Sequence, residues 1–98
     1  MKIPKVIKLY GQEIDINLTS TPEVIPNVGR VLGRYDPAQQ KITLYHNEDK
    51  PTVAESNFIH EVIEVADTLG DLQLNHTQIS ALASSIHQVL TDMYAEAA

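Results

Sequence analysis

Three residues near the middle of the chain have the types and spacing that chemistry requires. They are His60, Glu61 and Glu64, in the run Phe58-Ile59-His60-Glu61-Val62-Ile63-Glu64. On a helix, residues four apart lie on one face, one turn apart, so His60 and Glu64 can hold one metal ion between them. Glu61 points along a different radius, where a carboxylate can serve as general base toward water activated by that ion. The pattern is His-Glu-x-x-Glu, one letter from the His-Glu-x-x-His in which two imidazoles share zinc. A carboxylate in the last position is chemically acceptable, since zinc takes oxygen donors at about 2.0–2.2 Å. It adds negative charge beside the ion, so the activated water should be less acidic and the nucleophile weaker. The competing reading is a solvated helix face that carries a histidine and several carboxylates.

A catalytic zinc ordinarily has three protein ligands. His76 is the leading candidate for the third, because it opens a second helix just across the interhelical turn. Distance is the objection: Glu64 lies roughly 9 Å of helix rise before Gly70, so the crossover must fold back. Asp71 is an alternative with the same difficulty. Asp67 is a poor partner for His60, because seven residues of straight helix separate them by roughly 10 Å. As a purely structural residue, His76 would bond a loop carbonyl at the helix entry. His87 lies about 16 Å along the axis from His76 and reads as a histidine flanking the core. His46, Tyr35 and Tyr45 are further polar groups that could reach the rim of such a site.

These residues need elements to position them. Val6 to Tyr10 and Ile14 to Leu18 alternate as strands around a turn at Gly11-Gln12, an opening hairpin. Thr19 to Asn27, with Pro22 and Pro26, reads as a loop. Val28 to Tyr35 has β character, and its two glycines suggest a bulge or a close backbone approach. After a turn at 36–40, Lys41 to His46 is the clearest strand, with Ile42, Leu44 and His46 on one face. Thr52 to Leu69 is helical, with Phe58, Ile59, Val62, Val65, Ala66 and Leu69 as its apolar stripe. Gly70 is expected as its C-cap residue. Asn75 with Gln78 forms a capping-box signal for a second helix from His76 to about Tyr94. Ile79, Leu82, Ala83, Ile86, Leu90 and Met93 should pack that helix on the first as an antiparallel pair. The expected fold is α+β: one domain over 1–98, with a β-rich part over 1–46 and a helical hairpin over 52–96. Its sheet is small, mainly antiparallel and three- or four-stranded.

Composition bounds the function. The chain has 98 residues, 43% of them hydrophobic and 20% charged, with net charge −6. It suits one small soluble domain with a thin core, for which homo-oligomerisation is a natural supplement. An acidic chain repels a phosphate backbone, so nucleic acid is not an expected partner. With no cysteine, histidines and carboxylates are left as the strong metal ligands. Met1 to Lys5 begins basic but no apolar run follows, and no stretch approaches about 20 apolar residues. The expectation is therefore a cytoplasmic protein without membrane partners.

Residues 28–94 resemble the small zincin-type metallopeptidases of phages and prophages. The likeness rests on Gly33, Asp36 and Ile42-Thr43-Leu44, then on the run from Phe58 to Glu64. Leu72 to Ile79 and Leu82…Gln88-Val89-Leu90 complete it. The helical part is the more specific; the first 27 residues add a generic hairpin. The resemblance implies a zincin-like fold, Zn2+ held by His60 and Glu64, Glu61 as general base, and a peptide or protein substrate. It also implies an edge strand beside the helix that binds substrate by backbone pairing, here Ile42, Thr43, Leu44 and Tyr45. If phage-encoded, the protein would work in the host cytoplasm. The alternative is a non-catalytic phage accessory or interaction protein on a degenerate zincin scaffold. A third reading is a domain in which the ion serves folding alone.

Overall fold

The computed structural model describes residues 2–47 and 49–97. Met1, from the basic N-terminal stretch, Glu48, between the expected strand and the first helix, and Ala98 lie outside the described residues. The chain opens with β1 (Val6–Leu9) and β2 (Gln12–Thr19). Leu9 pairs with Gln12, so the connecting turn is Tyr10-Gly11, one residue earlier than expected. Both turn residues have positive φ (52° and 75°), the primed geometry that matches strand twist.

The stretch expected as loop between 19 and 27 contains a strand. β3 (Glu23–Ile25) pairs antiparallel with β4 (Gly29–Val31) in a sheet of their own. Asn27 and Gly29 supply the positive φ that reverses the chain between them. β5 (Gly33–Asp36) and β6 (Lys41–Tyr45) form a second hairpin around the turn expected at 36–40. Its turn is tied by the Asp36 carboxylate, which accepts from the amides of Ala38 (3.0 Å) and Gln39 (3.3 Å). The main sheet has the order β1-β2-β6-β5. Two of its ladders are antiparallel, and the central one, β2–β6, is parallel.

Two helices follow, α1 (Pro51–Gly70) and α2 (His76–Ala97). Proline suits the first turn of α1, where its missing N–H is no loss. Asp71, not Gly70, takes the left-handed cap at φ 50°. Gly70 is glycine for another reason: the Tyr10 hydroxyl packs where its Cβ would stand. Glu55 meets His87 and His60 meets His76, so α2 returns antiparallel to α1.

Alternation puts Ile14 and Ile16 of β2 and Ile42 and Leu44 of β6 on one sheet face. They are buried there against Phe58, Ile59 and Val65 of α1 and Ala83 of α2. The expected stripe of α1 holds. The stripe of α2 splits: Ile79, Ala83 and Leu90 turn inward, whereas Leu82, Ile86 and Met93 face solvent. No helix among the described residues is long and apolar enough to cross a membrane.

Candidate metal centre

The crossover between the helices does fold back, by identifiable means. Asp71 and Gln73 both adopt positive φ (50° and 59°), which reverses the chain within a few residues. Asp67 holds the reversal from below. Its carbonyl accepts from the Leu72 amide at 3.1 Å and its carboxylate from the Leu74 amide at 2.9 Å. The reciprocal capping box then starts α2 at once: Gln78 N–H donates to Asn75 Oδ1 (2.8 Å), and Asn75 N–H donates to Gln78 Oε1 (2.9 Å). His76, the first helical residue, is thereby set against α1.

The result is a three-residue cluster. His60 Nε2 lies 3.1 Å from Glu64 Oε1, as the one-turn spacing requires. The rings of His60 and His76 are 5.4 Å apart, inclined at 57°. One donor atom from each of His60, Glu64 and His76 falls within 4.8 Å of the other two. A tetrahedral ion with bonds of about 2.0–2.1 Å holds its ligands roughly 3.3 Å apart, so modest side-chain rotations would close this set. Two imidazoles and a carboxylate suit zinc and neighbouring divalent metals. Asp71 is exposed and caps α1, outside the cluster. Asp67 is a positioning residue for the loop, a role its sequence position alone did not suggest.

Glu61 sits next to this cluster and is buried, at 6% exposure. Ala54, Phe58, Glu61 and Val65 recur at the four-three-four spacing of a buried helical seam, and the other three are apolar and buried. A carboxylate occupying such a seam position was a readable signal of function. Gly33 of β5 makes room for it: a Cβ there would stand 3.0 Å from Glu61 Oε1 and 3.1 Å from its Cγ. This is the close approach that the glycines foreshadowed. Glu61 Oε2 has no hydrogen-bond partner. Burial first, then repulsion by and hydrogen bonding with Glu64, push the Glu61 carboxyl up to about 8.

Glu61 and Glu64 line an open pocket of about 450 Å³, walled by Gly33, Arg34 and Tyr35 of β5 and by Asp67 and Ile79. Tyr35 is thus brought to the site. Tyr45 is not, and packs instead under the Arg30 guanidinium, 5.6 Å from its ring centre. His46 lines a separate depression with Leu18 and Thr19. His87 Nε2 lies 3.5 Å from Glu55 Oε1 between the helices, as befits a flanking core residue.

The expected substrate strand must be corrected. Ile42, Thr43, Leu44 and Tyr45 belong to β6, which is interior: β2 pairs with it on one side and β5 on the other. Its backbone groups are committed, so no peptide can add there. The sheet edge beside the pocket is β5. No family model, no curated protein and no solved structure matches this chain. The arguments for its activity therefore come from the site itself.

Proposed function

We propose that the protein is a metal-dependent peptidase, with zinc as the favoured ion. The observation that carries this reading is the convergence of His60, Glu64 and His76 beside a buried carboxyl whose proton affinity is raised toward neutrality. A bound divalent ion would supply Lewis acidity and a water able to attack at neutral pH. The remaining tasks fall to this chain's own groups. His60 and Glu64 present donors from one turn of α1, and His76 completes the set from α2. Glu61, which lines the pocket beside them, would take a proton from the attacking water and pass it to the leaving amine. A carboxyl near neutrality serves both directions of transfer. An extended peptide running along β5 would lie over the pocket and be held mainly by its backbone.

A second reading has its own observation. The three ligands come from both arms of the helical hairpin, so a bound ion would also fasten α2 to α1. One set of measurements separates the two. Elemental analysis should find near-stoichiometric zinc in the wild type and none in His60→Ala. Glu61→Gln should keep the metal and lose cleavage of an unstructured protein such as casein. Zinc bound and lost as stated, with no cleavage by the wild type, would leave only the structural role. Metal absent from the wild type after zinc is offered at neutral pH would refute both.

A further inference from the structure

α2 carries more apolar surface than its contact with α1 uses. Leu82, Ile86, Val89 and Met93 recur at intervals of four, three and four residues, a continuous seam along one side. They are 45%, 42%, 57% and 59% exposed. An isolated surface helix would present charge on that side, yet Asp92 is the only Asp, Glu, Lys or Arg between His76 and Met93. The seam continues into an open groove of about 350 Å³. It is lined by Ile86 and Leu90 of α2, Ile7 and Leu9 of β1, and apolar side chains of α1 from Phe58 to Ile63. Lys8 is its one charged neighbour.

From this face we infer that the protein pairs with a second copy of itself, α2 against α2, antiparallel about a two-fold axis. Three observations favour this occupant. The seam is self-complementary: with its midpoint between residues 87 and 88, Leu82 meets Met93 and Ile86 meets Val89 in both directions, as a two-fold interface demands. The charge distribution allows it, since two copies of net charge −6 repel least across a face poor in carboxylates, and between His76 and Met93 this helix carries Asp92 alone. The area suffices. Exposures near one-half leave on the order of 100 Å² on each seam residue. With the groove added, the face reaches the several hundred Å² at which a contiguous apolar patch marks an interaction site, the small end of the range for two-fold interfaces. Residues 58, 59, 62 and 63 also lie on the side of α1 away from 61, 64 and 68, at about 100° of turn per residue. Pairing therefore leaves the metal cluster and its pocket open, and it holds whether or not the chain is a peptidase.

Sedimentation equilibrium at micromolar concentration tests the pairing. The expected mass is twice the 10.9 kDa of one chain, and Ile86→Lys should halve it while leaving the helical circular dichroism and zinc content unchanged. Because the chain has no cysteine, the register can be read directly. Mixed Leu82→Cys and Met93→Cys variants should form a disulfide-linked dimer on oxidation. Leu82→Cys alone should not, because antiparallel pairing sets the two copies of that position roughly 16 Å apart along the axis. A monomeric wild type, an Ile86→Lys variant that stays dimeric, or ready self-linking through position 82 would each overturn the inference. Should Ile86→Lys fail to fold, the cysteine pair decides alone.

Discussion

Removing the charge from Glu61 should erase much of the pH dependence of stability in the metal-free protein. When folded, the carboxyl holds its proton up to about 8; when unfolded it releases it near 4.5. The folded pKa is the higher one, so the associated stability is fully present below pH 4.5 and drains away as pH rises through 8. At about 1.4 kcal/mol for each tenfold, the ceiling on the loss is about 5 kcal/mol. Because the buried carboxylate is partly relieved by local relaxation and water entry when it forms, roughly 2–4 kcal/mol is the expected span. That is a large part of the 5–15 kcal/mol that holds a domain together. Glu61→Gln keeps the shape of the side chain and abolishes its ionisation. Urea unfolding followed by circular dichroism, with chelator present, should therefore show the wild type weakening between pH 5 and pH 9 relative to the variant. Groups remote from Glu61 are common to both and cancel in the difference. Curves that stay parallel within about 0.5 kcal/mol across that range would refute the reasoning, since they would mean that Glu61 is as well solvated folded as unfolded. Saturating zinc should make the wild-type curve less steep without abolishing its slope, because a cation on Glu64 offsets the repulsion but leaves the burial that chiefly raises Glu61.

Two further substitutions probe the supports of the site. Gly33→Ala puts a methyl 3.0 Å from Glu61 Oε1, so the carboxyl must give way by a fraction of an ångström; on the proposed function, cleavage should fall roughly 10-fold with zinc content unchanged, as measured by steady-state kinetics beside elemental analysis. Asp67→Ala removes the acceptor for the Leu74 amide and loosens the reversal that presents His76, so zinc affinity by competition titration should fall about 10- to 100-fold although all three ligands remain.

What the sequence disclosed was local, and what it hid was not. The His60-to-Glu64 spacing, the capping box at Asn75 and Gln78, and the inward face of β6 are each fixed by neighbours within a few residues. The structure keeps all of them. The position of β6 in the sheet is not local. Its alternation says that one face is buried but not which strands flank it, so it was mistaken for an edge. The short strand Glu23–Ile25 was hidden by the prolines around it, which are tolerated because the small hairpin lies outside the main sheet. The outward seam of α2 was assigned to α1 because helical spacing marks a stripe without saying which partner covers it. His76 is legible from its type and its place at the start of the second helix, but its reach to His60 is not. The turn that delivers it depends on Asp67 bonding backbone seven residues on, a contact with no periodicity to reveal it.

The central ladder bears on how the chain comes together in time. The β1–β2, β3–β4 and β5–β6 pairs and the helical hairpin each join segments adjacent in sequence. The β2–β6 pair instead sets Asp15 opposite Lys41, with both other hairpins spanning or ending in the interval. Loop closure must be met there before any contact rewards it, so this one ladder dominates the topological cost of folding. Gly33 is delivered to Glu61 by β5, and β5 joins the first hairpin only through β6. The candidate ligands His60, Glu64 and His76 all lie on the helical hairpin, whereas the carboxyl beside them acquires its burial only when the sheet closes.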